Sequence, residues 1–145
     1  MKYVGLDLGS VTCGVSASDT GFIARTVETI RFHPDDYDTA LDKVLLMLER
    51  EKPDLIVLGL PLHTAGEKGV RAHICEEFGA QLEKESGIPV VMQDERMTTV
   101  ESEEILLEAD VSRKKRKKVI DQMAAVAILQ RYLDTHDEKG NLIHG

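Results

Sequence analysis

A short apolar run near the N-terminus, over residues 3–8, constrains the fold of this chain more than any other feature. The run is nearly continuous, which is typical of a strand buried on both faces of a sheet. One carboxylate, that of Asp7, interrupts it near its C-terminal end. Because an ionised aspartate on a central strand is costly unless it is paired or binds a cation, two interpretations are open. Asp7 is either a polar strand end satisfied by backbone amides or a functional carboxylate.

Two more strands are predicted directly after the first. Gly9 and Gly14 bracket a four-residue connection to an alternating run, a pattern that favours a β-hairpin. Residues 24–32 alternate again among β-favouring side chains. This predicts a third, antiparallel strand that is half exposed or lies at an edge.

Two helix–strand pairs follow. Apolar residues at helical spacing predict an amphipathic helix over about 37–51. A second helix is predicted over 70–86, where Gly87 ends it. Each precedes a short apolar run, at 55–58 and at 88–92, and a buried strand reached from a helix by a short turn implies a parallel neighbour. The polar loop 63–69 lies past a strand's C-terminal end, where α/β proteins place their ligands, but it lacks a Walker-type phosphate motif.

Glu95 follows the last of these strands, next to Asp94. Thr98 and Glu101 have the spacing of a capping box, which predicts that a helix begins there. Glu95 is therefore expected at the C-terminal end of a strand, in the turn that leads to this helix.

A final helix is predicted over about 113–135, and it carries Asp121. Positions three, four, seven and eleven residues beyond Asp121 share one helix face, and they are the apolar Ala124, Ala125, Ile128 and Tyr132. We therefore expect Asp121 to point inward, and the two alanines to let the helix lie close to the sheet. The alternative is a first-turn aspartate favoured by the helix dipole. Residues 137–145 are expected to be a frayed tail.

Length and composition are those of a soluble globular protein. At 145 residues, with 42% apolar and 30% charged side chains, we expect a single domain over 1–145. No apolar run approaches the roughly 20 residues that span a bilayer, and nothing suggests export. Reduced thiols in a cytoplasmic protein are the simplest interpretation of only two cysteines without metal-ligand spacing.

The charge is unevenly distributed. A net charge of −8 argues against a general polyanion binder. Six consecutive cations nevertheless open the last helix: Arg113, Lys114, Lys115, Arg116, Lys117 and Lys118. A basic block in an acidic protein indicates one defined face for a polyanion, although such a run can also be a solvated helix start.

Three carboxylates on three separate elements, those of Asp7, Glu95 and Asp121, form the candidate site. Hard divalent cations prefer oxygen ligands of this kind. Converging carboxylates beside a basic run favour a metal-assisted phosphodiester nuclease, in which metal ions activate a water and hold the leaving oxygen. No nucleophile-elbow motif or zinc-ligand spacing competes with this interpretation.

The chain resembles the YqgF family, also called RuvX, over nearly its whole length. A lone Asp-x-Gly is a weak signal, but the ordered set of motifs is specific. The motifs are Gly5-Leu6-Asp7-Leu8-Gly9, Gly14-Val15-Ser16-Ala17-Ser18-Asp19, Gly59-Leu60-Pro61-Leu62 with Gly66, Asp94-Glu95-Arg96-Met97-Thr98-Thr99, and Arg113-Lys114-Lys115 through Asp121-Gln122-Met123-Ala124-Ala125.

The resemblance implies an α/β fold of the ribonuclease H-like type, with a central mixed five-stranded sheet and helices on both faces. It implies a cytoplasmic nuclease that matures the small-subunit ribosomal RNA precursor, or a Holliday junction resolvase acting on branched DNA. Asp7, Glu95 and Asp121 would be catalytic and would bind Mg²⁺ or Mn²⁺, with Asp7 bridging the ions and water as the nucleophile. Arg96 and Thr98 would contact the nucleic acid together with the basic run. We expect no membrane association, and a monomer or homodimer.

One departure from the family pattern leaves other functions open. The family usually has a basic residue followed by Ile before the second motif glycine, where this chain has Thr12 and Cys13. Arg71, Arg96 or the basic run could compensate. A nucleic-acid-binding protein with a degenerate site is therefore an alternative. A sugar-kinase or actin-like ATPase is a weaker one, because such proteins need two domains and a longer chain.

Overall fold

The computed structural model describes residues 1–62, 68–95 and 113–143, and for 113–122 it describes the backbone only. Within these ranges the chain forms five strands and three helices. The strands are β1 (Tyr3–Leu8), β2 (Thr12–Ser18), β3 (Arg25–Arg31), β4 (Leu55–Leu60) and β5 (Val90–Asp94). The helices are α1 (Tyr37–Glu51), α2 (Val70–Ser86) and α3 (Arg113–Thr135).

The strands form one mixed sheet in the order β3-β2-β1-β4-β5. β1 pairs antiparallel with β2, and β2 pairs antiparallel with β3. On its other side β1 pairs parallel with β4, which pairs parallel with β5. The predicted mixed five-stranded sheet is therefore confirmed, with β1 at its centre and β3 at an edge.

Alternation along β1 assigns its side chains to the two faces of the sheet. Val4, Leu6 and Leu8 belong to the larger apolar cluster, which α1 and α2 cover. Tyr3 belongs to the smaller cluster with α3, and Gly5 and Asp7 share its face because side chains alternate along a strand. We call these the core face and the α3 face. Asp7 therefore lies on the face that α3 covers.

α3 approaches the sheet very closely. The Ser16 hydroxyl donates to the carbonyl oxygen of Ala125 at 2.7 Å. A Cβ at Gly5 would lie only 2.7 Å from the Leu129 Cβ. Ala124 and Ala125 are buried, so the expectation that two small residues bring this helix onto the sheet is confirmed.

Local capping explains where two helices begin and end. The Asp36 side chain accepts hydrogen bonds from the backbone and hydroxyl of Thr39, which caps the N-terminus of α1. α2 ends at Gly87, whose φ of 73° is a left-handed conformation that glycine adopts at little cost. The predicted bounds of 37–51 and 70–86 match both helices.

The connection between β1 and β2 is shorter than predicted. The Gly9 backbone N–H donates to the Thr12 carbonyl at 2.7 Å and closes a tight turn, so β2 begins at Thr12 rather than after Gly14. Cys13 is consequently a core residue, and Gly14 pairs directly with Asp7. Gly14 was predicted to end the connection between the strands, but glycines also occur inside strands, and Gly14 lies inside β2.

The C-terminal segment was wrongly expected to be frayed from residue 137. His136 forms a bridge with Leu142, and the Ile143 N–H donates to the Thr135 carbonyl at 2.9 Å. The His136 ring also stacks on Tyr132, with ring centroids 4.1 Å apart. These contacts fold the tail back on the end of α3 as far as residue 143.

Some boundaries shift and some predictions stay open. The last strand runs over 90–94 rather than 88–92. Most of the predicted loop 63–69 and the predicted helix start at Thr98 lie outside the described residues. No helix within the described ranges is long and apolar enough to cross a membrane.

Candidate active site

Asp7 occupies the next-to-last position of the central strand. Its neighbours Leu6 and Leu8 are buried in the core cluster, which turns the Asp7 carboxylate to the α3 face. Directly beside it on β2 is Gly14, which has no side chain. The buried leucines on either side thus fix a carboxylate at the end of the central strand.

Glu95 comes to the same edge of the sheet from the other side. It directly follows β5, and its N–H donates to the Leu60 carbonyl at the end of β4. A Cβ at Gly59 would lie 2.9 Å from the Glu95 Oε2 atom. The carboxyl group therefore lies over the bare backbone of Gly59. The absence of a side chain at Gly59 makes the space for it.

The Asp7 and Glu95 carboxyl groups interact directly. Burial, followed by the negative charge of Asp7 and a hydrogen bond with it, raises the pKa of Glu95 to about 8. Two carboxylates this close cannot both ionise easily. Burial and the neighbouring Asp7 charge therefore favour a proton on Glu95 at neutral pH when no cation is bound.

Arg71 brings a positive charge to this pair from the other face of the sheet. Its Nη2 donates to the Leu8 carbonyl at 2.9 Å, and its Nη1 donates to the Tyr37 hydroxyl. Its charge opposes the rise in the pKa of Glu95. Arg71 thus connects the end of β1 with the start of α1 and partly balances the acidic site.

Comparison with known proteins assigns the chain to a family. The family model described as RuvX: Holliday junction resolvase matches residues 1–135. The chain belongs to the RuvX family. The family resemblance predicted from the sequence motifs is thereby confirmed.

Relatives of this RuvX chain share nearly all of its length. One from Bacillus subtilis (strain 168), named "Putative pre-16S rRNA nuclease", is 46% identical over 136 residues, which cover 93% of this chain and 99% of the relative. One of the same name from Lactococcus lactis subsp. cremoris (strain MG1363) is 43% identical over 136 residues, covering 93% of this chain and 95% of the relative.

A solved structure shares the fold of the RuvX chain. It is that of T. thermophilus RuvC in complex with Holliday junction substrate, with a TM-score of 0.64 and 18% identity, covering 91% of this chain and 92% of that one. The ribonuclease H-like fold predicted from the motifs is confirmed by this likeness.

The two carboxyl groups fit a hard divalent cation. Both donors are oxygens, which Mg²⁺ and Mn²⁺ prefer, and the charge that makes them repel one another is the charge a cation would neutralise. Among the side chains that the structure describes, no group of three His, Cys, Asp or Glu could hold a metal ion. The described pair thus accounts for two of the three predicted ligands.

Asp121 lies within α3, but its side chain is outside the described residues, as are those of the basic run at 113–118. Ala125 and Ile128, predicted to share the face of Asp121, are buried. A Cβ at Gly59 would lie 2.6 Å from the Ile128 Cδ1 atom, so this helix face lies close to the strand backbone beneath Glu95. Arg96 and Thr98 lie outside the described residues.

Neither cysteine is suited to be a nucleophile. Both Cys13 and Cys75 are free and buried. Burial raises the pKa of the Cys75 thiol to about 12 and raises that of Cys13 as well. A thiolate is therefore not available at either position at neutral pH.

Two features of the site escaped sequence reasoning. Arg71 had been named only as a possible replacement for a missing charge, because its 64 positions of separation from Asp7 hide its contact with the end of β1. The motif Gly59-Leu60-Pro61-Leu62 carries no sign that Gly59 lies beneath the Glu95 carboxyl group. At position 12, where the family pattern has a basic residue, Thr12 lies within β2 opposite Arg31.

Proposed function

We propose that this RuvX protein is a metal-dependent endonuclease that hydrolyses phosphodiester bonds in the maturation of the small-subunit ribosomal RNA precursor. The observation that carries the proposal is the contact between the Asp7 and Glu95 carboxyl groups at the carboxyl ends of β1 and β5. Relatives named as pre-16S rRNA nucleases support the substrate. We further propose that residues 1–145 form one nuclease domain that acts in the cytoplasm.

Asp7, Glu95 and Asp121 are the residues that would hold the Mg²⁺ or Mn²⁺. When bound, such a cation neutralises the charge of the phosphate, makes a water more acidic and stabilises the leaving oxygen. Asp7 would hold the cation from the central strand of the sheet. Glu95 lies in a turn and Asp121 on a helix, so each can hold one side of the site.

The backbone supports the assignment of Asp121. The Tyr3 and Tyr132 ring centroids are 6.3 Å apart. Two residues further along β1, a Cβ at Gly5 would lie 3.1 Å from the Ala125 carbonyl oxygen. α3 therefore runs antiparallel to β1 along the α3 face.

This pairing continues to the site. Two strand residues advance by about 6.7 Å and one helical turn by about 5.4 Å, so β1 and α3 progress nearly in step. Gly5 is level with the helical turn between Leu129 and Ala125, so one more step leads to Asp7 on β1 and to the turn that begins near position 121 on α3. This progression supports the proposal that Asp121 belongs to the helical turn nearest Asp7.

The protein residues bind and orient rather than attack. With both thiols buried and protonated, water is the nucleophile. Arg96, Thr98 and the basic run at the start of α3 contact the nucleic acid. Arg71 keeps the end of β1 in place through the Leu8 carbonyl, which holds Asp7 in its orientation.

Cleavage assays test the proposal. Wild-type protein is incubated with a ribosomal RNA precursor carrying its 5′ extension, a single-stranded RNA and a four-way DNA junction, each with Mg²⁺, Mn²⁺ or EDTA. We expect cleavage of the precursor with either ion and none with EDTA. Asp7→Asn and Glu95→Gln should lower the rate by about 10³-fold or more, since several kcal/mol of transition-state stabilisation are lost.

A matched control is Lys84→Gln, which removes a charge in the last turn of α2, away from the site. It should cleave like the wild type. An Asp7→Asn variant that cleaves at the wild-type rate would overturn the metal site. A trapped covalent adduct would overturn water as the nucleophile.

A second candidate activity is resolution of branched DNA. The description of the family as Holliday junction resolvase favours it, and the same catalytic residues would serve. Preferred cleavage of the four-way junction over the precursor in the same assay would replace the RNA substrate with this one.

A further inference from the structure

The edge strand β3 ends at the same end of the sheet as β1. β2 is antiparallel to both of its neighbours, so β3 runs in the direction of β1. Its last residue, Arg31, is exposed. This places an arginine at the sheet edge nearest the carboxyl end of β1.

Arg31 lies on the face that carries Asp7. Its neighbours Ile30 and Phe32 are buried in the core cluster, so its side chain is directed away from the core. It pairs directly with Thr12 of β2, and directly opposite residues of an antiparallel pair share a face. Thr12 in turn lies beside Gly9.

Arg31 and Asp7 lie on neighbouring rows of the same face of the sheet. The row that contains Asp7 continues through Gly14 to Thr29. The row that contains Arg31 continues through Thr12 to Gly9. β1 and β3 are two strand spacings apart, or about 10 Å. Gly14 and Thr12 between them are buried, but Ser10 in the turn between β1 and β2 is exposed. One nucleic acid strand can therefore reach Asp7 and Arg31 by passing over this turn at the end of the sheet.

Arg31 forms no ion pair with any described residue, although carboxylates are close in sequence. Asp35 accepts a hydrogen bond from the Tyr37 hydroxyl, and Asp36 caps α1 through Thr39. Lys43 adds a second cation, because its Nζ donates to the Arg31 carbonyl at 2.6 Å. The end of β3 is thus a local positive site in an acidic protein.

The other end of the same strand is different. Arg25 is also exposed, but its guanidinium pairs with Asp19 at 3.0 Å and with Glu51 at 3.6 Å. Its charge is neutralised by its neighbours, while that of Arg31 is available to an external anion. Mutation of Arg25 can therefore serve as the control for mutation of Arg31 in the same strand.

We propose that Arg31 binds a backbone phosphate of the nucleic acid substrate next to the bond being cleaved, so that β3 forms one wall of the binding track. A guanidinium suits this role because it offers two parallel donors to phosphate oxygens. The proposal rests on the proposed nuclease function and deepens it by naming a substrate contact.

Binding measured over a salt series tests this contact. Anisotropy of a labelled single-stranded RNA is followed in EDTA, which prevents cleavage, for wild type, Arg31→Gln, Arg31→Lys and Arg25→Gln. We expect Arg31→Gln to weaken binding about 3- to 10-fold and to reduce the salt slope by about 0.7, the value for one phosphate contact on a single strand. Arg31→Lys should restore the slope.

The Arg25→Gln variant loses the same charge from the same strand, so it should keep the wild-type affinity and slope. Equal losses in Arg25→Gln and Arg31→Gln would show a general charge effect and overturn the contact. A wild-type slope in Arg31→Gln would also overturn it while leaving the nuclease proposal intact. A wild-type protein that neither binds nor cleaves RNA or the DNA junction would overturn both.

Discussion

The two faces of the sheet differ in what they bury. On the core face, β1, β2 and β4 present aliphatic side chains and a thiol to α1 and α2. On the α3 face, the same strands present Gly5, Ser16 and Gly59 together with the Asp7 carboxylate. One face thus gains stability from apolar volume, whereas the other brings backbone and charge into close contact.

The core face therefore serves mainly to stabilise the fold, and the α3 face carries the candidate active site. On the core face, an added atom meets the ends of side chains rather than backbone, as at Gly79. On the α3 face, a strand hydroxyl donates to a helix carbonyl at 2.7 Å. The Asp7 and Glu95 carboxyl groups also contact one another there, and this contact helps to raise the pKa of Glu95. We expect mutations of similar size to have larger effects on the α3 face.

The largest expected effect concerns one added methyl group on each face. Gly5→Ala would place a Cβ 2.4 Å from the Ser16 Oγ and 2.7 Å from the Leu129 Cβ. Because α3 would have to move, we expect a loss of about 3 kcal/mol in the free energy of unfolding. Urea unfolding measures it.

Gly79→Ala is the matched change on the core face. Its added Cβ would lie 3.2 Å from the Leu58 Cδ2 and 3.3 Å from the Val90 Cγ1, which are side-chain ends that can shift. Because alanine also favours a helix interior by up to about 1 kcal/mol over glycine, Gly79→Ala should be nearly neutral. Equal losses for both alanines would contradict the proposed contrast between the faces.

The second prediction concerns pH and the acidic pair. The folded-state pKa of Glu95 is raised to about 8 by burial and by Asp7, so the native state binds a proton that the unfolded state releases. Stability is then fully present at low pH and is lost as pH rises towards the folded-state pKa. In EDTA we expect the free energy of unfolding to fall by about 2 kcal/mol between about pH 6 and pH 8.

The groups that surround Glu95 allow this effect to be isolated. Asp7 and Asp94 raise its pKa, and Arg71 lowers it. Glu95→Gln removes the titrating group, so its stability should be nearly flat over this pH range. Adding Mg²⁺ to the wild type should also flatten the curve, because a cation that binds the ionised pair stabilises the native state. If the free energy of unfolding of the wild type in EDTA did not change between about pH 6 and pH 8, the raised pKa of Glu95 would be contradicted.

The sequence predicted the elements better than their ends. The bounds 37–51 and 70–86 were predicted to the residue, because the first helix has a clear amphipathic period after the Asp36 cap and the second ends at Gly87. The start of β2 was missed, because a hydrogen bond between Gly9 and Thr12 sets the turn and leaves no signal in composition. The folded tail beyond residue 137 was missed for the same reason.

The candidate site was predictable in part. Asp7 was identified because a carboxylate inside an apolar strand is unusual, and Glu95 because it follows a strand. That the two carboxyl groups contact one another over Gly59 depends on sheet order, which the sequence does not encode locally. Arg71 and Arg31 depend on the same tertiary arrangement, since exposed arginines are common in any sequence.

The third prediction concerns Arg71 of α2, which donates to the Leu8 carbonyl at the end of β1, next to Asp7. Arg71→Lys keeps the charge but cannot donate to the Leu8 carbonyl and the Tyr37 hydroxyl together. We expect kcat/KM for RNA cleavage to fall about tenfold, equivalent to about 1.4 kcal/mol, through a looser Asp7. The Lys84→Arg variant, at an exposed position of the same helix, should cleave normally. An unchanged rate in Arg71→Lys would mean that Arg71 supplies charge alone.

The fourth prediction concerns a single hydroxyl group between sheet and helix. The Ser16 hydroxyl donates to the Ala125 carbonyl at 2.7 Å in a fully buried position. Ser16→Ala leaves that carbonyl without this partner and should lower stability by about 1–2 kcal/mol. The Thr135 hydroxyl makes a similar bond to the Arg131 carbonyl at 2.7 Å in an exposed position. Water can replace it, so Thr135→Ala should cost less than about 0.5 kcal/mol.

Combining this change with the first prediction tests whether close approach is the cause. The Ser16 Oγ is the nearest atom to a Cβ at Gly5, so Ser16→Ala removes part of the clash that Gly5→Ala creates. Gly5→Ala should therefore be less destabilising in the Ser16→Ala background than in the wild type, by about 1 kcal/mol, because contacting residues do not behave additively. Additive losses would mean that α3 yields to each change separately and that its contact with β1 is looser than the distances indicate.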